Sequence, residues 1–311
     1  MKIPIIILSI MTFAIAEVRI NIDSLVIRED LDSKGQRYLP KTKIPFNGLV
    51  YNKYQNGQVK FEGPLESGLQ HGTWVWWYPT GEKKSEITFS NHLRHGHVRS
   101  YFESGNLQES GSYLEDKKEG LWTQYYESDK KLSETNYKND KLHGRLTIWH
   151  ENGRKKREVF YTKGKKHQWE LGWYADGSHR LKLYWYLGMQ DGQQIAWYNN
   201  GQKEYHYTFD NGIWVGDINE WYENGSQRIK GSFIDGKQTG TWIWYFSNGN
   251  YALEGEYADG FPTGYWRSYS EDGSMIYNEE KYGVWVEEEL KWWKEEYAGT
   301  ANLGDMPVIQ Y

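Results

Sequence analysis

The sequence predicts an all-β fold, an elongated repeat ribbon of about ten 24-residue β-hairpins forming one long twisted antiparallel sheet, capped at both ends. Three observations carry this expectation. A leading glycine recurs at 48, 72, 96, 120, 144, 192, 216, 240 and 264, with Gln168 filling the one gap, so the period is 24 residues without slippage. Nine residues after each leader comes a second glycine, at 57, 81, 105, 153, 177, 201, 225, 249 and 273, with Asp129 as the lone replacement. Between the two lie runs such as Thr241-Trp242-Ile243-Trp244-Tyr245-Phe246, aromatic and β-branched and too short for a helix.

Residues 1–16 read as a secretory signal, with Lys2 at the front, an apolar run from Ile3 to Ile15 and Ala14-Ile15-Ala16 as a small-residue cleavage site. Glu17 then begins an exported chain, periplasmic or extracellular. The apolar run is shorter than the roughly 20 residues of a spanning helix, and no cysteine follows to take a lipid anchor. Residues 17–47 are expected to cap one end of the sheet as an atypical hairpin. Residues 48–287 are the ten repeats, and 288–311 a C-terminal cap and tail. There Val286, Leu290, Trp293 and Tyr297 fit an amphipathic helix that plugs the last strand edge. A degenerate eleventh repeat with Trp293 in a ring column is the competing account.

Within each repeat, the residues before the second glycine include Gln55-Asn56, Glu151-Asn152, Asn199-Asn200 and Glu223-Asn224. Asn-Gly and Asp-Gly favour a two-residue hairpin turn, in which both central residues take positive φ. The first strand then runs like Thr73 to Tyr78 and the second like Lys83 to Phe89. A looser turn such as Ser90 to His95 leads to the next leader.

Composition bounds the chemistry. With 17 Trp and 26 Tyr the chain has too much apolar area for disorder, and with no cysteine it has neither disulfides nor thiol chemistry. The net charge of −5, spread without single-sign blocks, disfavours nucleic acid and membrane lipid as partners. No phosphate loop, nucleophile elbow or His-Glu-x-x-His is present, and no cofactor is implied.

The repeat Gly72-x-Trp74-x-Trp76-Trp77-Tyr78-x-x-Gly81, with Gly240-x-Trp242-x-Trp244-Tyr245-Phe246-x-x-Gly249, resembles the MORN-repeat variant found in bacteria, over roughly residues 44 to 281. Leu25 to Arg28, Tyr38 and Ile44-Pro45-Phe46-Asn47-Gly48 are similar to the leading segment of the YwqK-type toxin-antitoxin antitoxin family. That resemblance implies a protein that neutralises a partner toxin. The signal peptide departs from it, because the antitoxin of a cytoplasmic toxin is not exported.

Counting each leader as position zero, a two-residue loop pairs position five with position twelve and position zero with position seventeen. One face then collects Trp74, Trp76, Tyr78, Trp122, Tyr126, Trp242, Trp244 and Phe246 and is the more apolar. Position seventeen adds Phe89, Tyr113, Tyr137, Tyr161, Trp185, Phe209, Phe233 and Tyr257, each placed to cover a bare leader glycine. The other face carries one aromatic column at position five, the candidate binding platform: Trp77, Tyr101, Tyr125, Trp149, Trp173, Trp197, Trp221, Tyr245 and Tyr269. Its expected cross-strand neighbours are Lys84, Gln108, Lys156, Arg180, Glu204 and Arg228, with Leu132 and Ala252 as apolar exceptions. Two readings stay open. Lys and Arg stems lying over the rings make the column structural. An exposed column makes it a platform for a protein or a glycan.

His71, His95, His143 and His167 sit one residue before a leader. Column-mates in successive repeats are about 9.6 Å apart by strand spacing, too far to share a metal ion. Only His92, His95 and His97 are close enough in sequence to converge, and a turn role suits the column. Position fourteen repeats a carboxylate at Glu62, Glu86, Glu134, Glu158 and Glu254, but repetition argues against catalysis, which needs one distinctive constellation. Asn224-Gly225-Ser226 matches a glycosylation acceptor and equally a turn. The sequence therefore points to a non-enzymatic, exported binding or scaffold protein, with an antitoxin or immunity-like role and a carbohydrate-active enzyme as the alternatives.

Overall fold

The computed structural model describes residues 18–27 and 35–280, with backbone only at 279 and 280. The signal segment and the C-terminal cap lie outside the described residues. The chain divides into two compact units, 1–142 and 143–311. Both are all-β, and the helical content of the described residues is a single 3-10 turn at Ile22–Ser24.

In the first unit each strand pairs antiparallel with the next along the chain: Gly48–Lys53, Val59–Glu66, Gly72–Trp77, Lys83–Ser90, Leu93–Tyr101, Leu107–Leu114, Lys117–Tyr125 and Lys131–Lys138. The second unit repeats the pattern from Gly144 to Glu280, through Lys155–Thr162, Lys165–Trp173, His179–Tyr186, Met189–Trp197, Lys203–Asp210, Gly216–Trp221, Gln227–Ile234, Lys237–Tyr245, Tyr251–Ala258, Phe261–Tyr269 and Met275–Glu280.

The N-terminal segment differs from the expected hairpin. Arg19–Asn21 lies parallel to Gly48–Lys53, with Arg19 opposite Leu49. The antiparallel pair Val26–Ile27 with Arg37–Tyr38 forms a separate two-stranded ladder. Ile22, Leu25, Phe46, Val50, Leu65 and Trp74 close into the core of this end. The parallel strand hydrogen-bonds the outer side of the first repeat strand, which would otherwise be a free edge.

The two turns of each repeat exchange the roles expected of them. At the second glycine of each repeat the loop holds three residues. Gly81 N–H donates to Tyr78 C=O at 2.9 Å, Tyr78 N–H donates to Glu82 C=O at 2.8 Å, and only the glycine has positive φ, at 97°. This is a turn followed by a glycine bulge. The tight two-residue turns lie between repeats instead, at Asn91-His92, Asn211-Gly212, Asp235-Gly236 and Asp259-Gly260, where both central residues have positive φ. Ser90 pairs directly with Leu93 across the first of these.

The extra loop residue resets the neighbours of the ring column. Trp77 pairs with Lys83, and Trp76 with Ser85, so the strand bulges between them and position five faces position eleven. Position twelve lies elsewhere, over the position-six ring: Lys84 over Tyr78 at 5.4 Å, Arg180 over Tyr174 at 6.0 Å and Arg228 over Tyr222 at 5.9 Å. Position zero does pair with position seventeen, as Gly72 with Phe89 and Gly240 with Tyr257. Yet a Cβ on Gly240 would meet nothing within 4 Å, so the ring does not cover the leader. The leaders are glycine because they sit at positive φ, 63° at Gly240, where the strand bulges.

The apolar face is the core in both units, as the alternation predicts. In the second unit Ile218, Trp242, Trp244, Leu253 and Trp266 are buried together with Phe209, Phe233 and Tyr257. At about 25 cal/mol per Å² of apolar area, rings of this size supply the main driving force in a chain without disulfides.

Candidate functional site

The nine position-five rings all lie on the face opposite that core, and each is half-buried. In the first unit these are Trp77, Tyr101 and Tyr125. In the second they are Trp149, Trp173, Trp197, Trp221, Tyr245 and Tyr269. Each unit presents its rings at two-strand intervals, because a hairpin contributes one per repeat.

The gap between successive rings is filled from position eleven. His179 lies between Trp173 and Trp197, with ring centroids 6.4 and 5.9 Å away. Tyr251 lies likewise between Tyr245 at 5.3 Å and Tyr269 at 6.0 Å. Elsewhere the interleaving group is an ammonium: Lys83 stands over Tyr101 at 5.8 Å, Lys155 over Trp173 at 5.8 Å and Lys203 over Trp221 at 5.7 Å. Each such contact contributes about 0.5–1 kcal/mol at an exposed site. The column alternates rings with the side chains of position eleven, and the interleaved ring pairs are tilted by 42° to 64°.

Carboxylates at position fourteen tie the lysines down. Glu86 accepts from Lys83 at 2.6 Å and from the Tyr101 hydroxyl at 3.3 Å. Glu134 takes Lys131 at 2.5 Å, and Glu158 takes Lys155 at 2.7 Å. Glu254 accepts from Arg267 at 2.9 Å and from Tyr269 at 2.8 Å. The hydrogen bond from Lys83 holds the Glu86 carboxyl below its ordinary value and raises the Lys83 ammonium. Burial, then the bond to Glu254, pushes the Tyr269 phenol up to about 12.

The backbone under the column is held by position six. Tyr54 donates its hydroxyl to Trp77 C=O at 2.8 Å, Tyr174 to Trp197 C=O at 2.8 Å, Tyr198 to Trp221 C=O at 2.9 Å and Tyr222 to Tyr245 C=O at 2.7 Å. Each bond joins one repeat to the next. A cavity of about 280 Å³ adjoins Trp77 in the first unit, lined also by Arg19, Gln58, Val59, Glu62 and Gly81.

Two titratable clusters lie on the core side of the second unit, one around Glu170, which pairs with Arg157 and Lys166, and one around Glu220. Glu220 and Arg228 are both buried, 3.6 Å apart, and the Tyr207 hydroxyl donates to Glu220 at 2.6 Å. Burial pushes the Glu220 carboxyl up. With Glu220 only 2% exposed, the carboxyl is sealed from any substrate.

Sequence reasoning placed all nine rings on one face and missed their position-eleven companions. The signal was present, since Lys83, Lys131, Lys155, His179, Lys203 and Tyr251 recur at that spacing. One residue of loop length separated them from the assigned neighbours.

Among known families, the one described as MORN repeat variant matches residues 70–91, 94–115, 118–139, 190–211 and 238–259. The match is to the repeat unit. Among solved structures the chain is similar to the E1021V mutant of the TCP10 domain of Danio rerio CPAP, at 13% identity and a TM-score of 0.19, covering 83% of this chain and 99% of that one. It is also similar to a chain of TcdB2-TccC3, at 10% identity and a TM-score of 0.15, covering 75% of this chain and 19% of that one. No curated protein matches the chain.

Proposed function

We propose that the chain is an exported, non-enzymatic scaffold that binds another protein through the face carrying the position-five column. The single observation that carries this reading is the interleaving of that column. A sugar chain stacks on an unbroken run of ring faces, and here the His179 imidazole stands between Trp173 and Trp197, tilted 42° and 54° to them. What the surface offers is a field of half-buried rings, aliphatic groups and ammonium heads, the mixture that suits a protein interface. The match of five segments to the MORN repeat variant supports a repeat scaffold, since repeat sheets offer extended surfaces for partners. Catalysis is disfavoured because the buried acids among the described residues, Glu220 beside Arg228 and Glu170 beside Arg157 and Lys166, are ion-paired and closed to solvent.

Export rests on Lys2, the apolar run after it and Ala14-Ile15-Ala16. Among the described residues no helix is long and apolar enough to cross a membrane. N-terminal sequencing of the protein from the native host should begin at Glu17; retention of Met1 overturns export. Crosslinking in that host followed by purification should yield one stoichiometric protein partner, lost when Trp173, Trp197 and Trp221 are replaced by alanine. A partnerless wild-type protein, or strong retention on a polysaccharide column that those substitutions abolish, overturns the reading.

A further inference from the structure

Across the ring-bearing face of the second unit, residues at positions three and fourteen form one continuous row, each directly opposite the next. The row runs Leu171, Lys182, Ile195, His206, Asn219, Lys230 and Ile243. At both ends it meets a carboxylate, Glu158 opposite Leu171 and Glu254 opposite Ile243. Those acids are answered by Lys155 and Arg267. In the three repeats between them the acid column is replaced by Lys182, His206 and Lys230, and position eleven adds Lys203.

Along this row the exposed cations Lys182 and Lys230, with Lys203 beside them, have no carboxylate opposite. The acids of the same face, Asp191, Asp210 and Asp217, lie toward the tight-turn edge and accept hydrogen bonds from Asn211 and Ser232. Two of the lysines rest on rings and not on carboxylates: Lys182 over Trp169 at 4.4 Å and Lys203 over Trp221 at 5.7 Å. His206 in the same row has a buried Nε2 with no hydrogen-bond partner. Half-buried Leu171, Ile195 and Ile243 alternate with the charged groups. This basic and apolar field lies in a chain whose net charge is −5.

We propose that this face, centred on Lys182, Lys203 and Lys230, is the docking surface for an acidic, aliphatic-bearing segment of a partner protein. The inference rests on the protein-binding reading above and narrows it to three repeats and one partner chemistry. Charge complementarity selects the partner: carboxylates meet ammonium groups that no carboxylate of the chain already holds, and aliphatic side chains fill the intervening sites. A polyanionic glycan or nucleic acid shares the charge but lacks the aliphatic groups, and His179 and Lys203 interrupt the run of rings along which it would stack.

The test uses the full chain and a fluorescein-labelled peptide of alternating Glu and Leu, followed by anisotropy at low salt. Binding is expected, weakening as salt rises, with none to the Lys-Leu counterpart. Lys182→Glu/Lys203→Glu/Lys230→Glu should weaken binding by about tenfold or more, as attraction turns to repulsion at each site. Replacing the same three by Gln should give an intermediate loss with the fold retained and the melting curve lowered only by the lost Lys182 and Lys203 ring contacts, and Lys163→Glu/Lys165→Glu at the tight-turn edge should have no effect. Absence of peptide binding, equal binding by the triple Glu variant, or a preference for dextran sulfate over the peptide each overturns the proposal. If the protein partner crosslinked in the native host is retained by the triple variant, the docking surface is wrong while the protein-binding reading stands. If the wild type captures none, that reading falls by itself.

Discussion

The indole of Trp242 lies flat against the backbone of Gly231, so that a Cβ on the glycine would sit 2.3 Å from Cδ2 of the ring. The same pairing joins Gly63 to Trp74, Gly111 to Trp122 and Gly255 to Trp266. Each glycine lies eleven residues before its tryptophan, on the adjacent strand of the preceding repeat. Where that site is Ile87, Leu183 or Tyr207, the residue eleven further on is Val98, Gln194 or Ile218. A bare backbone and a large ring fill one volume together, and a side chain on both sides fills it twice.

Gly231→Ala should therefore destabilise the second unit by about 1–3 kcal/mol through overpacking against a buried ring. The urea midpoint reads this directly. In Gly231→Ala/Trp242→Ile the loss should be smaller than the sum of the two single changes, because the smaller side chain relieves the clash. An unshifted midpoint for Gly231→Ala would refute the pairing.

The turn asparagines make a separate prediction. Asn200 accepts from Gln202 N–H at 2.9 Å and donates its amide to Glu223 C=O, one repeat on, at 2.6 Å. Asn56, Asn152, Asn224 and Asn248 do the same. Asn200→Asp keeps the acceptor and loses the donor, and should cost about 1 kcal/mol. Gly201→Ala, at φ 86°, should cost about 1–2 kcal/mol through left-handed strain. Thermal melts of both variants test the two roles independently.

Opposite pH dependences are expected from two carboxylates. Burial raises Glu220 in the folded chain, so the native state holds its proton more tightly. The stability it contributes relative to Glu220→Gln is full below the ordinary carboxyl value of 4.5 and is lost as pH rises toward the folded value. Glu86 is lowered by Lys83, so its contribution is present above 4.5 and disappears as pH falls through the folded value. Denaturant midpoints of wild type, Glu220→Gln and Glu86→Gln across acid to neutral pH should diverge with opposite slopes. Parallel curves would contradict both assignments.

Tyr198→Phe removes the hydroxyl bond to Trp221 C=O while leaving the ring. The expected loss is about 0.5–1.5 kcal/mol in stability. Partner capture should survive it, since the hydroxyl braces the backbone and does not face the partner. Loss of capture without loss of stability would place Tyr198 in the interface instead.

Much of this was legible in the residues. The glycine register placed the strands, and alternation assigned Trp74 and Trp242 to the core and Trp173, Trp197 and Trp221 to the opposite face. The companions of those rings were not legible. His179 and Lys203, at position eleven, became the neighbours in place of Arg180 and Glu204, because the loop at the second glycine holds three residues. The Lys182, Lys203 and Lys230 patch follows from that same register, since it needs position eleven beside position fourteen. The Gly231 and Trp242 contact was visible as a spacing but acquires meaning only across neighbouring strands.

The sequence by itself determined the period, the strand composition and the two faces, because side-chain alternation and a strict repeat are local properties of the chain. Which turn is tight was decided only in the folded sheet. Asn-Gly satisfies either turn, since each needs a glycine at positive φ, and the asparagine amide gains its partner only when the next repeat is in place. The resulting one-residue difference in loop length sets every cross-strand neighbour of the ring column, and through it the chemistry that the face presents.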